Sequence, residues 1–397
     1  METIAQRVRN LAEPEILLMA QRSRDLKAKG LDVISLSIGE PDFDTPQHIK
    51  DAAIQAINDN YSHYPPIPGY QDLRKAISDK LLRENGLTYA PSQIVISTGA
   101  KQALFNAMFA VVDHGDEVII PSPFWATYMD IVTLCEGKSV IVRTSIDQSF
   151  KITPEQLEKA ITPKTKLLML NSPSNPTGAV YSAEELEKLA DIIRKHPQIK
   201  VISDEIYELI SFSGKPVSIA SFPGMLERTI IINGVSKGYA MTGWRIGFTA
   251  APVDIAEACV KIQGQLTSAA SSIAQRAALA AYEGPLDESI KMCEAFKRRR
   301  DIVVDIVKDI PGLKFFVPEG AFYLFPDVSY YFGKSDGKTT IKDATELTMY
   351  LLEHALIATV TGVAFGEPNC LRISFATSDE NLKKGLTRMK EALAKLK

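Results

Sequence analysis

The chain has 397 residues, of which 45% are hydrophobic and 23% are charged, an ordinary composition for a globular protein. Its 45 Lys and Arg residues are balanced by 48 Asp and Glu residues, and the net charge of −3 provides no broad basic surface for nucleic acid. No stretch approaches the ~20 apolar residues of a membrane span, and residues 1–15 contain no apolar leader segment. We therefore expect a cytoplasmic protein without a nucleic-acid partner or a membrane association.

The cysteines and histidines indicate neither a disulfide framework nor a metal site. The four cysteines form no CxxC pair, which favours reduced thiols; they are Cys135, Cys259, Cys293 and Cys370. The five histidines show no metal-ligand spacing; they are His48, His63, His114, His196 and His354. One basic run, Lys297–Arg300, lies between apolar residues of helical spacing, and we interpret it as a solvated helix face.

Short apolar runs alternate with helical segments in the chain up to about residue 290. The runs predict strands at residues 93–98, 116–123, 165–171, 200–204 and 228–234. They are rich in Val, Ile and Leu, which is typical of a mostly parallel sheet covered by helices on both faces. Ser182 and Glu185 have the spacing of a capping box, which predicts the start of a helix.

The pattern changes after about residue 290. A long amphipathic segment, 285–310, ends before a Pro-Gly pair, and residues 313–328 alternate like an antiparallel strand pair. The C-terminal tail predicts one strand followed by a capped, charged helix. We predict a large α/β domain of residues 48–290, and a small α+β domain that combines residues 1–47 with residues 291–397.

Polar and charged residues stand where the apolar runs stop. They are Gly99–Lys101 after the first run, Asn175 after the third, Asp204 and Tyr207 at the fourth, and Ser236, Lys237 and Arg245 after the fifth. The carboxyl ends of strands lie side by side in a doubly wound sheet, so these side chains converge. The set contains no serine–histidine pair and no glycine fingerprint for a nucleotide.

This set of groups matches the chemical requirements of pyridoxal 5′-phosphate. The cofactor needs a lysine amine for covalent attachment, an acid opposite its pyridine nitrogen and an anion site for its phosphate. Lys237 is the predicted anchor, and an ionised Asp204 would keep the ring nitrogen protonated. The helix N-terminus at Gly99–Lys101 offers backbone N–H groups to the phosphate, and Arg245 adds a charge-assisted pair.

Seven ordered motifs resemble a known family. They are "ISLSIGEPDFDTP", "STGAKQAL", "NSPSNPTG", "SDEIYE", "GVSKGYAMTGWRIGF", "PEGAFYLF" and "CLRISFATS". They resemble the class I aminotransferases of pyridoxal-phosphate fold type I, and within these the 1-beta aspartate and prephenate branch. The resemblance covers essentially the whole chain. It implies an α/β fold with a mostly parallel seven-stranded sheet between helices, a smaller α+β domain, and a homodimer with shared active sites.

The resemblance also implies a role for each residue that would hold the cofactor. Lys237 would be its anchor and the proton carrier, Asp204 would pair with the pyridine nitrogen, and Tyr207 would be the third catalytic residue. Tyr207 and Asn175 would hydrogen-bond the ring oxygen, and Trp125 would stack on the ring. The phosphate would be held by Gly99, Ala100, Lys101, Ser236, Arg245 and, from the other subunit, Tyr64.

The substrate would be held by a second group of residues. Arg372 is implied to bind the α-carboxylate as a bidentate fork, with Gly39, Asn175 and Trp125 alongside, and Lys101 to meet a side-chain carboxylate. We therefore expect an aspartate aminotransferase. Its reaction would be a reversible ping-pong transfer of the α-amino group from L-aspartate to 2-oxoglutarate, giving oxaloacetate and L-glutamate.

Two departures from the branch pattern keep alternatives open. Pro14, Glu15 and Ile16 stand where the branch usually reads "S-x-T-L-A", and a glutamate there would disfavour an acidic substrate. Pro65 and Ser145 replace a threonine and a lysine of the plastid prephenate enzymes. The alternatives are an aromatic or prephenate aminotransferase and a lyase or synthase of the same fold. A transcription regulator would need a DNA-binding module before this fold. About 30 residues precede "VISLSIGEP", which is too few for such a module, so we do not expect a regulator.

Overall fold

A computed structural model describes residues 3–11 and 15–397, with side chains for residues 3–11 and 21–397. Of the departures noted above, Pro14 therefore lies outside the described residues. The side chains of Glu15 and Ile16 also lie outside the described part, although both residues belong to a described helix.

The described residues form an α/β structure. Their α-helices, α1 to α13 in chain order, are Gln6–Arg9, Glu15–Ala28, Gln47–Asn58, Gln71–Asn85, Ala100–Val111, Thr127–Leu134, Pro154–Ala160, Ala183–Arg194, Val253–Leu266, Ser272–Glu283, Asp287–Val307, Ala344–Ala355 and Asp379–Leu393. Their strands, β1 to β12, are Ile34–Ser35, Ile94–Thr98, Glu117–Ser122, Lys138–Arg143, Thr165–Asn171, Lys200–Asp204, Thr229–Gly234, Ile246–Ala250, Tyr323–Leu324, Ile357–Ala358, Val360–Thr361 and Leu371–Ser374.

Seven of the strands form one central sheet, in the order β2-β8-β7-β6-β5-β3-β4. Strand β8 runs antiparallel to both of its neighbours, whereas the other pairs in this sheet are parallel. Each of the five apolar runs became a strand of this sheet. The prediction of a mostly parallel seven-stranded sheet is therefore confirmed.

Helices cover both faces of the central sheet, because successive residues of a strand point to opposite sides. In β5, Leu167 and Met169 pack with α5, α6 and α9, whereas Leu168 and Leu170 pack with α7 and α8. Helices α3, α4 and α10 cover β2 and β8. Helix α8 begins at the predicted capping box, in which Ser182 and Glu185 exchange backbone-to-side-chain hydrogen bonds of 3.2 and 2.7 Å.

A second core surrounds the small antiparallel sheet β11-β12-β9 and the parallel pair β1-β10. Residues of α11, α12 and α13 fill it, and Tyr207 and Ile210, which follow β6, also reach into it. Helix α11 crosses the predicted boundary at residue 290, as a joining helix would. The division into residues 48–290 and residues 1–47 with 291–397 stays a prediction.

Residues 313–328 do not form the predicted antiparallel strand pair. Lys314 and Asp327 form one antiparallel bridge, and β9 pairs with β12. Pro318 has no N–H to give to a ladder, and the N–H groups of Glu319 and Gly320 both donate to the Gly178 carbonyl at 2.9 Å. The hydrophobic alternation of this segment is present in the sequence, but the N–H groups of Glu319 and Gly320 donate to Gly178 and not to a neighbouring strand of the segment.

The basic run on α11 is not uniformly solvated, and our interpretation was wrong for Arg299. Its guanidinium is buried and donates to both carboxylate oxygens of Asp42, at 2.6 and 2.9 Å. It also lies 4.8 Å from the ring centroid of Phe43. A bidentate pair and a cation–π contact together offset the cost of burying the charge. Lys297 and Arg298 are exposed, as expected.

Two further features are absent from the described ranges. No helix within residues 3–11 and 15–397 is long and apolar enough to cross a membrane. In the same ranges, no three His, Cys, Asp or Glu residues are grouped so that they could hold a metal ion. The four cysteines are free.

Candidate active site

A cavity of about 420 Å³ lies where β5, β6 and β7 end. This is the edge at which open α/β sheets bind their ligands. The predicted site residues that line it are Gly39, Ala100, Lys101, Trp125, Asn175, Asp204, Tyr207, Ser236, Lys237, Arg245 and Arg372. Gly99 precedes Ala100 directly, but Tyr64 is not part of the lining, and its side chain is 95% exposed.

Lys237 lies three residues beyond the end of β7. Its Nζ donates a 2.6 Å hydrogen bond to the Gly39 carbonyl and lies 5.8 Å from the ring centroid of Tyr207. Burial lowers the pKa of this amine to about 8; Glu40 opposes the shift, and Arg372 and Arg245 add to it. A lysine that is partly neutral near pH 7 is suited to act as a nucleophile or a base.

Asp204 is the last residue of β6, and its carboxylate is buried. The Tyr128 hydroxyl donates to its Oδ2 at 2.6 Å, and the Ile206 N–H donates to its Oδ1 at 3.3 Å. Burial raises the pKa of Asp204 to about 6, and these two hydrogen bonds and Lys237 oppose that shift. The carboxylate is therefore available to a cationic group in the cavity.

Arg372, on β12, is buried and held in a fixed orientation. Its Nη1 donates to Asn175 Oδ1 at 2.9 Å and its Nη2 donates to the Ser37 carbonyl at 2.7 Å. Its Nε is buried without a hydrogen-bond partner. A buried guanidinium with an unsatisfied donor, facing a cavity, is suited to bind an anion.

An anion cup forms at the N-terminus of α5. Gly99 caps this helix with φ of 81°, and a side chain there would collide with the Arg245 guanidinium. Arg245 itself has φ of 58°, a left-handed conformation that is uncommon for a non-glycine residue. Gly247 allows β8 to approach the backbone of Ala100. Backbone N–H groups and a guanidinium thus meet where a phosphate would bind.

Lys101 lies at the rim of the cavity, and its side chain is exposed on this chain. Its ammonium lies 4.8 Å from the ring centroid of Trp125. Desolvation of the ammonium beside the cavity wall and the nearby Arg245 lower its pKa, whereas Asp130 opposes the shift. The cation therefore stands beside the aromatic ring that the sequence predicted to cover the cofactor.

Sequence reasoning missed two tyrosines of the cavity, Tyr128 and Tyr323. Tyr128 lies three residues after Trp125, with the two rings edge to face at 5.5 Å. Tyr323 lies within the quoted motif "PEGAFYLF" and bonds to the Tyr207 hydroxyl. The helical spacing from Trp125 was the available signal for Tyr128. Ser37, Ile38, Asn171, Ile206 and Thr242 complete the lining.

Known proteins resemble this chain in sequence and in structure. The profile of the family "Aminotransferase class I and II" matches residues 31–389. The aspartate aminotransferase of Rhizobium meliloti (strain 1021) is 46% identical over 99% of this chain and 96% of the relative. The aspartate/prephenate aminotransferase of Nitrosomonas europaea is 44% identical over 98% of this chain and 100% of the relative.

Two solved structures of aspartate aminotransferases are also similar to this chain. The aspartate aminotransferase from Rhizobium meliloti superposes with a TM-score of 0.97 at 45% identity and covers 100% of both chains. The Thermus thermophilus aspartate aminotransferase with maleate superposes with a TM-score of 0.92 at 38% identity, over 99% of this chain and 100% of that one.

The fold and the site thus define a transaminase that depends on pyridoxal phosphate. More particularly, the chain belongs to the class I and II aminotransferase family.

The residues present fit the cofactor of this family. The cavity offers an amine of lowered pKa in Lys237 and a buried carboxylate in Asp204 for a ring nitrogen. The cup at Gly99 and Arg245 leaves no space for a side chain in place of the glycine hydrogen, as expected where a phosphate approaches the backbone.

Proposed function

We propose that the protein is an aspartate aminotransferase that transfers the α-amino group of L-aspartate to 2-oxoglutarate in a reversible ping-pong cycle. The observation that carries this proposal is the pair of cations at the cavity, with Arg372 inside it and Lys101 at its rim. Aspartate and glutamate each have two carboxylates, and two separate cations match them. Relatives named aspartate aminotransferase support the same substrate.

Arg372 holds the substrate α-carboxylate in this proposal. Asn175 and the Ser37 carbonyl fix the guanidinium plane, and the guanidinium lines the cavity in which the carboxylate would bind. Gly39 also lines the cavity, and a side chain at this position would collide with the Tyr323 hydroxyl. Positioning of this kind converts binding energy into correct orientation of the α carbon.

Lys237 and Asp204 carry the proton chemistry. When bound, pyridoxal phosphate supplies an aldehyde carbon for the amino group and a ring that draws electrons from the substrate α carbon. Lys237 is the covalent anchor, and its amine takes the α proton and returns it, which a pKa of about 8 allows near neutral pH. Asp204 holds a proton on the ring nitrogen by pairing with the positive charge there.

The other predicted residues hold the cofactor in place. Tyr207 and Asn175 would donate hydrogen bonds to the ring oxygen, and Trp125 would cover the ring face. Gly99, Ala100, Lys101, Ser236 and Arg245 would hold the phosphate. The support for these roles is their common position around one cavity and the helix N-terminus among them.

Tyr64 completes this site from a second subunit, so the active form is a homodimer. The side chain of Tyr64 is 95% exposed on this chain, and Ile54 and Ile57 nearby are 55% and 60% exposed. Leu266 is another exposed apolar residue, at the end of α9. Large apolar side chains that are exposed on one subunit are available for burial against another.

A cytoplasmic location agrees with the state of the thiols. All four cysteines are free, and three of them are buried. Reduced, unpaired cysteines are the rule in reducing compartments.

A second candidate is an aminotransferase for prephenate or aromatic amino acids. Relatives from Nitrosomonas europaea and Cereibacter sphaeroides are named aspartate/prephenate aminotransferase. The cavity also presents aromatic and apolar faces at Trp125, Tyr323 and Ile38, which would accept a ring. Prephenate has two carboxylates, so the two cations alone do not separate it from aspartate.

Replacing Lys101 tests the substrate most sharply. In Lys101→Ala, kcat/KM for aspartate should fall roughly ten- to a hundredfold, the contribution of one charge-assisted hydrogen bond of roughly 1.5–3 kcal/mol. Phenylalanine should lose much less, because Arg372 still binds its α-carboxylate. The control Lys101→Arg keeps the charge and should retain more aspartate activity. Equal losses for aspartate and phenylalanine at saturating cofactor would contradict the assignment and favour the aromatic candidate.

A further inference from the structure

Tyr323 lies between Arg372, the proposed substrate-binding residue, and Tyr207, the proposed cofactor-binding residue. It belongs to β9 and is fully buried, and β9 pairs with β12, the strand that carries Arg372. The Arg372 guanidinium lies 4.5 Å from the centroid of the Tyr323 ring. A buried guanidinium gains both attraction and orientation from an aromatic face. The ring of Tyr323 therefore supports the cation that faces the cavity.

The hydroxyl of Tyr323 points to a different partner. It lies 2.9 Å from the hydroxyl of Tyr207, and the two rings meet edge to face at 6.0 Å. Gly39 encloses it further, because a Cβ at that position would lie 2.9 Å from the Tyr323 oxygen. The hydroxyl thus has a single, fixed hydrogen-bond partner in the described structure.

The two hydroxyls have a definite donor order when Tyr207 serves the cofactor. Each phenol has one proton to donate. If Tyr207 donates to the ring oxygen, the hydrogen bond between the two tyrosines must be donated by Tyr323. A hydroxyl that accepts one hydrogen bond becomes a stronger donor in the next, because linked hydrogen bonds polarise one another.

We propose that Tyr323 is a positioning residue with two separate effects: its hydroxyl directs the Tyr207 proton toward the cofactor ring oxygen, and its ring holds Arg372 for the substrate α-carboxylate. This inference rests on the proposed function, since it assigns Tyr207 to the ring oxygen. The charged and titratable groups that face the two tyrosines are Asp204 at the end of β6, Lys237 after β7 and Arg372 on β12.

The variant Tyr323→Phe separates the hydroxyl from the ring. It keeps the aromatic face under Arg372 but removes the donor to Tyr207. The pH midpoint at which the absorbance of the bound cofactor changes should then move upward by roughly 0.3 unit, because the anionic ring oxygen loses part of its stabilisation. The shift should be smaller than in Tyr207→Phe. The KM values of aspartate and phenylalanine should change less than about threefold.

The variant Tyr323→Leu removes the ring as well. Without the aromatic face, the KM of both amino acids should rise roughly tenfold, since both bind through Arg372. A selective rise for aspartate alone would overturn this part of the proposal, because it would connect Tyr323 with the distal carboxylate.

Two controls distinguish a positioning role from a general structural one. Tyr331→Phe also removes a buried hydroxyl from the same core, where it donates to the Pro311 carbonyl at 2.6 Å, and it should leave the midpoint unchanged. In the background of Tyr207→Phe, the change Tyr323→Phe should add no further shift. If Tyr323→Phe alone is less stable, this double variant still tests whether the Tyr323 hydroxyl acts through Tyr207.

The outcomes separate this inference from the proposed function. If the wild type and Tyr207→Phe differ in midpoint but Tyr323→Phe matches the wild type, the positioning role of the hydroxyl is refuted and the proposed function stands. If the wild-type absorbance does not respond to amino acids at all, the proposed function itself fails.

Discussion

The surroundings of Lys237 prepare a neutral amine. Burial, Arg372 and Arg245 disfavour its positive charge and lower its pKa to about 8, against the opposing effect of Glu40. At pH 7 an amine of this pKa is roughly 10% neutral, which is roughly 300-fold more than an ordinary lysine. Only the neutral form attacks an aldehyde, so the environment of the residue favours covalent attachment.

This predicts how cofactor uptake depends on pH. Because the lowered pKa means that the amine loses its proton as the pH rises through about 8, covalent uptake by the apoenzyme should accelerate up to that pH and then level off. Stopped-flow absorbance from pH 6.5 to 10 measures the rate, with Lys237→Ala as the control that binds without the covalent band. A rate that keeps rising to pH 10 would mean that the amine is unperturbed.

Some residues of the site could be predicted from the sequence and others could not, for a physical reason. Lys237, Asp204 and Asn175 were recognisable because a polar side chain at the end of a buried strand needs an explanation. Tyr128 and Tyr323 lie in apolar segments, where a tyrosine is usually core. Their hydroxyls meet Asp204 and Tyr207, which are 76 and 116 residues distant in the chain.

At the scale of elements, the position of α5 depends on close packing against β8. A Cβ at Gly247 would collide with the backbone of Ala100, the first residue of α5. Only a glycine therefore lets the strand hold the helix N-terminus beside Arg245. The anion cup is thus a property of two elements in contact and not of one motif.

Gly247→Ala tests this packing. The added methyl should displace the N-terminus of α5, destabilise the protein by about 1–3 kcal/mol and weaken cofactor retention. Thermal unfolding and dialysis against a trapping amine measure the two effects. Gly243→Ala is the matched control: no atom lies within 4 Å of its Cβ, so stability should change by less than about 0.5 kcal/mol. Unchanged cofactor retention in Gly247→Ala would refute the argument.

The elements that the sequence predicted correctly are those with a strong local signal. Five apolar runs became strands, and the capping box began α8. Residues 313–328 carried a similar alternation but not a ladder, because Pro318 and contacts with Gly178 redirect the backbone bonds. The burial of Arg299 could not be predicted from the local sequence either, because its partner Asp42 is 257 residues away.

At the scale of the molecule, residues 37–45 connect the cavity with other elements, since the first three of these residues line it. The carbonyl of Gly39 accepts from Lys237, and Glu40 accepts from Thr242. Asp42 binds Arg299 on α11, and Thr45 donates to the Ala240 carbonyl at 2.8 Å. The segment thus contacts residues on both sides of the site.

The proposed dimer makes a prediction about mixed subunits. When Lys237→Ala and Tyr64→Phe subunits are combined, each heterodimer should contain one site with both lesions and one site with neither. Activity per heterodimer should therefore exceed that of either parent homodimer. The measurement is the turnover of purified heterodimers carrying two different affinity tags. Heterodimers without any gain would place Tyr64 at the site of its own subunit or outside both.

The most direct test of the account is a single turnover with L-aspartate and no oxo acid. We expect the holoenzyme to release one oxaloacetate per active site, to lose the resting absorbance of its cofactor, and then to stop. Addition of 2-oxoglutarate should restore the absorbance and yield an equal amount of glutamate, whereas Lys237→Ala should do neither. Absence of oxaloacetate at saturating aspartate, with a fast reaction of phenylalanine, would contradict the assignment to aspartate. Continuous turnover without an oxo acid would contradict transamination.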